Sequence, residues 1–354
     1  VNKKKQKNFF LRLVDAEAHA SDPNGEKFFW FFFFKKRTAF FLPSTAPQGS
    51  RDLSLYAITG GAGFIGSHLA DRLLADGHDV RVLDDFSTGK LENLDPRVAV
   101  LRGDVADAEA VEAVVAGAAG VFHLAAIASV ARSNEEWALT HRVNQGGTVA
   151  VLDAARATRM PVVYASSAAV YGTVEGVAHE ELTPSPQTAY GADKLGSELH
   201  ARVGWSVHGV PSTGMRFFNV FGPRQDPSSP YSGVISIFAR RVAEGLPITV
   251  NGDGLQTRDF VYVGDVVRHL VAAMDRSTEG AQVLNVCTGR ETSILALAEA
   301  LGRQRNQPPA IRHGPARPGD IKRSLGSNAK AKAVLGLAAE TTLDDGLRAI
   351  FSEA

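Results

Sequence analysis

Residues 54–85, SLYAITGGAGFIGSHLADRLLADGHDVRVLDD, leave the backbone few options. An apolar run over 55–58 has the length of a buried strand. Gly61, Gly63 and Gly66 follow in a G-x-G-x-x-G spacing, and Gly60 makes the turn still more permissive. Phe64, Ile65, Leu69, Leu73 and Leu74 then share one helical face, Gly77 closes the helix, and a second apolar run over 80–83 ends at Asp84. Strand, tight turn, helix and strand in this order form a βαβ unit, which commits the chain to a parallel sheet.

The residue types also carry chemistry. Glycine lets backbone approach a pyrophosphate with no Cβ in the way, and the helix that starts there aims free N–H groups at the phosphates. Asp84, 18 residues after Gly66, stands where a carboxylate accepts hydrogen bonds from an adenosine ribose and repels a 2′-phosphate. The expected cofactor is therefore NAD, cradled by Gly60, Gly61, Gly63, Phe64, Ile65, Gly66 and Asp84. A glycine pattern alone is weak, but the flanking strand and helix and the acid at the next strand end make it specific.

The βα alternation continues. Strands are expected over 98–101, 121–124, 161–165 and 211–218, and helices over 106–117, 135–158 and 189–208. The fold class is α/β, a Rossmann-type doubly wound parallel sheet over 53–218. Beyond residue 219 short helices and pieces of sheet between Gly- and Pro-rich loops read as a smaller C-terminal α/β substrate lobe, 219–354. Sheet is expected there over 248–250, 260–263 and 284–286, and helices over 232–244, 264–274, 293–302 and 343–351. Ligands of such sheets lie at the carboxyl ends of the strands. Asp104 and Val105 fall at one such end, where the acid faces either an adenine amino group or a helix N-terminus as its cap. Ala125 and Ala126 are small enough for a cofactor to lie against the backbone, and Asn144 is a polar residue in an otherwise packing stretch. His123 is expected to be a packed strand-end residue.

Composition excludes several classes. The net charge is +0 and the main body has no basic run, which argues against a nucleic-acid partner. The single cysteine, Cys287, rules out a disulfide framework and a thiolate metal cluster, and fits a cytoplasmic protein. It sits in an apolar run and reads as a buried structural thiol. No metal is expected, and no apolar stretch is long enough to span a bilayer. Residues 1–52 stand apart, with ten of the 19 phenylalanines before residue 42 and no helical or strand period. They read as a disordered or non-native upstream extension, against the competing readings of an interfacial anchor or a degraded targeting peptide.

Tyr190 and Lys194 stand at i and i+4 on one helical face. A tyrosine is a poor base at neutral pH, but an ammonium nearby favours its phenolate, and so does the positive nicotinamide ring of oxidised NAD. Ser167, at a neighbouring strand end, can hydrogen-bond the same substrate oxygen. This equipment removes a hydroxyl proton while a hydride moves to a nicotinamide.

Motifs along about 300 residues extend the reading. They are TGGAGFIGSHL from Thr59, LDDFSTGK from Leu83, GDV from Gly103, HLAA from His123 and SSAAVYG from Ser166. YGADK from Tyr190, RFFNVFGPRQDPSSPYSGVI from Arg216, GDGLQTRDFVYVGDVV from Gly252 and RPGDI from Arg317 complete the set. Together they resemble the extended short-chain dehydrogenase/reductase family and, within it, the nucleotide-sugar 4-epimerases. The resemblance implies a UDP-sugar substrate, a 4-keto intermediate, and a homodimer. It implies that Tyr190 is the base, that Lys194 activates it and binds the nicotinamide ribose, and that Ser167 assists at the sugar 4-hydroxyl. Asp84 would hold the adenosine ribose, Asp104 the adenine, and Asn144 the cofactor pocket. Asn219 would contact the diphosphate, with Arg258 and Arg317 gripping its phosphates.

Relatives that dehydrate or decarboxylate carry an acid beside the serine or threonine, whereas Ser167 precedes Ala168 and Ala169. Epimerisation is favoured, with a nucleotide-sugar reductase as runner-up and a non-catalytic NAD-sensing protein behind it. Ser324, where glucose-restricted epimerases resemble one another in a bulky tyrosine, implies that UDP-glucose/UDP-galactose and their 2-acetamido counterparts are both accepted.

Overall fold

The structure is a computed structural model that describes residues 53–226, 233–306, 308–316 and 321–352. The expectations for residues 1–52 and for Arg317 fall outside the described residues. Within the first part, β1 (Leu55–Thr59), α1 (Phe64–Ala75), β2 (Asp79–Asp84), β3 (Ala99–Arg102), α2 (Ala108–Val115) and β4 (Gly120–His123) follow in order. Next come α3 (Val130–Glu135), α4 (Trp137–His141), α5 (Gly147–Ala155), β5 (Val162–Ser167), α6 (Ala189–His208) and β6 (Ser212–Phe217). The remainder contains β7 (Asn219–Phe221), α7 (Val234–Ala243), β8 (Ile248–Asn251), β9 (Thr257–Arg258), β10 (Phe260–Tyr262), α8 (Val263–Arg276) and β11 (Ala281–Val286). It ends with β12 (Thr292–Ser293), α9 (Ile294–Gln304), β13 (Ile311–Gly314), α10 (Ala329–Leu335) and α11 (Leu343–Ser352).

Seven of these strands form one sheet in the order β11-β6-β5-β4-β1-β2-β3, every pair parallel. Strands buried on both faces are apolar throughout, and successive residues serve opposite sides. Ile58 joins a core with Leu69 and Leu73 of α1 and Val266 and Leu270 of α8. Its neighbour Ala57 joins the other, with Val111 of α2, Val151 of α5 and Ala201 of α6. A third apolar cluster, around Phe221, Phe238, Ile248, Leu297 and Leu347, belongs to the C-terminal part. β1 pairs with β2 on one side and β4 on the other, so the strand order reverses there and opens a crevice at the carboxyl ends.

The long helix expected over 135–158 is instead broken. Val130–Glu135 and Trp137–His141 are separate, and Arg142–Gly146 forms a π-helical turn before α5 begins. Such turns concentrate at functional sites. The helix expected from 106 starts two residues later, because Asp107, not Asp104, is its N-cap and accepts from Glu109 N. β13 and α10 escaped the sequence reading; both are short, and β13 pairs with β8 far away in sequence.

Candidate active site

The glycine turn shapes the first part of the site. A Cβ on Gly60, whose φ is +72°, would stand 2.6 Å from Ala125 N, and one on Gly66 would stand 2.2 Å from Gly60 O. The backbone after β1 thus lies directly against the backbone after β4, and any side chain there would pry them apart. The cleft this leaves, about 380 Å³, is lined by Gly60, Gly63, Phe64, Ile65, Gly66, Asp84, Asp104, Val105, Ala125 and Ala126, among others. These expected cofactor residues therefore meet at one place, whereas Gly61 does not line the cleft and faces the Val82 side chain. Asp84 is buried at the end of β2, its two oxygens accepting from Ala62 N and Phe86 N at 2.9 Å each. Burial raises the Asp84 carboxyl above the usual range while these amides pull it back. Asp104 accepts from Ala106 N and pairs with Arg142 of the π turn at 2.8 Å.

Asn144 lies fully buried and does not line the cleft. Its side chain takes a hydrogen bond from Ile127 N at 2.8 Å and gives one to Ile127 O at 3.3 Å, fixing the segment after β4 that forms the cleft wall. Its part in cofactor binding is indirect. His123 bridges Thr59 and Thr148, and burial, helped by the nearby Lys194 charge, pushes its imidazole down to about 3. It is a neutral packing residue, as its strand position suggests.

At the carboxyl end of β5, Ser167 caps a 3₁₀ turn through Ala169 N and hydrogen-bonds the Tyr190 hydroxyl. Thr188 caps α6, so Tyr190 sits in its first turn and Lys194 one turn on. The Lys194 Nζ donates to Ala165 O at 2.7 Å and lies 5.7 Å from the Tyr190 ring centre. Burial pushes Lys194 down to about 8. Burial also raises the Tyr190 phenol, with Ser167 opposing the rise. The lysine ammonium and the nicotinamide ring, the two cations expected to favour the phenolate, would have to act against this desolvation.

Ser167 also opens onto a second cavity, about 220 Å³, shared with Tyr171, Asn219, Arg258, Arg323 and Ser324. A third, about 380 Å³, adjoins it through Asn219 and Arg258 and adds Arg241, Thr249, Asn251 and Gln256. Asn219 and Arg258 are sequence expectations; Arg241 of α7, Thr249 and Asn251 of β8 and Gln256 of the following loop are not, although Gln256 lies inside the GDGLQTRD motif. Asp259, beside Arg258, is buried and accepts from Thr288 N, Thr288 Oγ1 and Gly289 N, which ties the loop after β11 to this wall. A buried chain that sequence reasoning missed backs the site. Ser166 donates to Glu198, which takes two hydrogen bonds from Arg216, and Arg216 stacks on Tyr171 at 4.7 Å.

Cys287 is buried and burial raises its thiol, consistent with an inert packing role. Among the described residues there is no cluster of His, Cys, Asp and Glu able to hold a metal ion, and no helix long and apolar enough to cross a membrane.

Comparisons with known proteins agree with this geometry. The profile of the NAD dependent epimerase/dehydratase family matches residues 56–287. UDP-glucose 4-epimerase of Mycolicibacterium smegmatis is 37% identical over 82% of this chain and 95% of its own. UDP-N-acetyl-alpha-D-glucosaminuronate decarboxylase of Bacillus cytotoxicus is 35% identical over 73% of this chain and 82% of its own. The crystal structure of UDP-glucose 4-epimerase from Thermotoga maritima with UDP-glucose superposes with a TM-score of 0.80 at 34% identity, covering 84% of this chain and 97% of that one. The parallel sheet, the glycine cradle with its acid, and the Ser-Tyr-Lys constellation thus meet in a chain that belongs to the NAD-dependent epimerase/dehydratase family.

Proposed function

We propose that the protein catalyses the NAD-dependent 4-epimerisation of a UDP-hexose, interconverting UDP-glucose and UDP-galactose. One observation carries the reading. Ser167, Tyr190 and Lys194 converge at the carboxyl end of β5, and there Ser167 lines the second cavity beside Ala168 and Ala169, where elimination or decarboxylation needs an acid.

The chain's residues fit the cofactor: the glycine turn admits a pyrophosphate, Asp84 faces an adenosine ribose, and Asp104 the adenine edge. NAD, when bound, supplies the acceptor and donor of the C4 hydrogen and a positive ring that opposes the burial penalty on the Tyr190 phenolate. Tyr190 removes the proton from the sugar 4-hydroxyl and later returns it, acting as general base and then general acid. Ser167 holds the same oxygen through both steps. Arg258 and Asn219 hold the diphosphate between the second and third cavities, and Arg317 is proposed to join them. Arg241, Thr249, Asn251 and Gln256 offer the uridine end its hydrogen bonds. With the nucleotide anchored there, the hexose can turn over within the second cavity and take the hydrogen back on its other face.

Purified protein incubated with UDP-galactose and no added cofactor should yield UDP-glucose without consuming any reductant. Carbon dioxide released from a UDP-uronic acid, a deoxy-keto sugar, or stoichiometric NADH oxidation would assign decarboxylation, dehydration or reduction instead.

Ser324 lines the second cavity and is half-buried, its amide donating to Thr257 O. Its small side chain leaves room for a 2-acetamido group, so both sugar classes are proposed substrates. Ser324→Tyr should lower kcat/KM for UDP-N-acetylgalactosamine by about 100-fold, the scale of one pocket contact, while sparing UDP-galactose. Kinetics on the two substrates check this, and equal loss on both would refute it.

A further inference from the structure

One wall of the second cavity comes from a stretch with little regular structure. Between the 3₁₀ turn at Ala168–Tyr171 and α6, residues 172–188 form no helix and no strand beyond a single bridge at Ala178. Gly172, Val174, Gly176 and Ala178 of this stretch line the cavity. An irregular segment keeps its place only through ties to the body of the fold.

Asn285 supplies such ties. It lies on β11, the outermost strand at one edge of the sheet. Its neighbours Leu284 and Val286 belong to the core that holds Ile58, so its side chain points to the opposite side of the sheet. There it is 0% exposed. Its Oδ1 accepts from the Tyr171 hydroxyl at 2.7 Å, and its Nδ2 donates to Ala178 O at 3.0 Å and Ser327 O at 3.3 Å. The main chain adds another tie, Asn285 N donating to Glu180 Oε1 at 2.7 Å. A buried asparagine in an apolar strand is costly unless its polar atoms are matched, and here both ends of the amide are.

The partners have one thing in common. Tyr171 and Ala178 line the second cavity, and Ser327 ends the segment whose Arg323, Ser324 and Leu325 line it too. The Arg216 guanidinium stacks on the Tyr171 ring and leaves its hydroxyl to Asn285. The backbone bridge between Ala178 and Gly326 already joins the two walls to each other. What Asn285 adds is their distance from the sheet.

We propose that Asn285 is a positioning residue for the hexose. It holds the 172–182 wall and the segment after Ser324 at a set distance from β11, and so keeps the second cavity at the width that leaves the sugar beside Ser167. The idea rests on the placing of the hexose in that cavity proposed above. The nucleotide end is assigned to the third cavity, whose walls include α7 and β8.

The test compares the holoprotein with its Asn285→Ala variant. The kcat/KM for UDP-galactose, per NAD-loaded molecule, should fall by about 10- to 100-fold, the scale of a reacting centre displaced by about 1 Å. Bound NAD and the inhibition constant of UDP should stay within about twofold of the parent's, because those sites share no partner with Asn285. Hydrogen–deuterium exchange should be about tenfold faster over 172–182 and unchanged over the glycine turn. A residue that only stabilised the fold would lower Tm and leave turnover per folded molecule where it was. If the alanine variant does not fold, Glu180→Ala cuts the main-chain tie from a half-buried position and must move turnover and exchange in the same directions. Exchange over 172–182 equal to the parent's overturns the proposal, and so does unchanged turnover or a UDP affinity that falls in step with it. A parent that leaves UDP-galactose untouched removes the epimerase reading instead, and the exchange measurement then decides by itself whether Asn285 holds the wall.

Discussion

Tyr190→Phe is expected to cut kcat for UDP-galactose turnover by about 10²- to 10⁴-fold, the range that a positioned acid–base group contributes. The substitution keeps the ring and its packing in the first turn of α6 and removes only the hydroxyl that Ser167 holds. Cofactor content and KM should therefore change little, because the glycine turn, Asp84 and Arg258, the proposed diphosphate ligand, are untouched. Burial raises the phenol, so the parent's rate should climb with rising pH as the base form becomes available. That limb should vanish from the residual activity of the phenylalanine variant. Stopped-assay kinetics across pH would show it. A variant as fast as its parent would sink the proposed mechanism, which gives the sugar's proton to Tyr190 alone.

The largest stability effect should come from a pair that never touches substrate. Glu198 and Arg216 are each 1% exposed and joined by two hydrogen bonds of 2.8 and 2.7 Å. Burial works against the Arg216 guanidinium, but Glu198 and the ring of Tyr171 outweigh it and hold it charged. Glu198→Ala leaves that cation uncompensated inside the protein, which costs about 3–5 kcal/mol. For a unit of about 300 residues this is a fall in Tm of about 5–8 °C. Replacing both partners, Glu198→Leu with Arg216→Met, should recover most of the loss, because well-packed apolar residues avoid the desolvation altogether. Thermal melts of the parent, the single and the double variant decide this. A single variant as stable as the parent would mean that the site admits water or neutralises the charge in some other way.

The sequence was most informative where periodicity and local chemistry coincide. The strand–glycine–helix–strand unit at 55–84, the helix that begins at Ala189, and the small residues after β4 all stand where their patterns put them. Ser167, Asn219, Arg258 and Ser324 come from four distant segments, yet share one cavity, because motifs carried them and not periodicity. Other features depend on tertiary contacts, and a linear pattern does not record those. The π turn at Arg142–Gly146 looks like ordinary helix in its hydrophobic spacing. Glu198 has the appearance of a surface residue on a helix until β6 brings Arg216 against it. Asp104 had two equally good uses on paper, and only Asp107, three residues on, shows which acid caps the helix. The charge state of Tyr190 depends on how deeply it is buried, which no spacing of residues reveals.

The path of the chain through the sheet has one more consequence. After β6 it leaves to build the wall that carries Arg258, returns as β11 beside β6, and leaves again to deliver Ser324. There Gly326 bridges to Ala178, clasping the far rim. Walls sewn to one sheet in this way do not swing apart like a lid. In the proposed reaction the turning hexose must use clearance already present, and Ala168, Ala169, Gly172, Gly176 and Ala178 enlarge it between the bulkier Tyr171 and Val174.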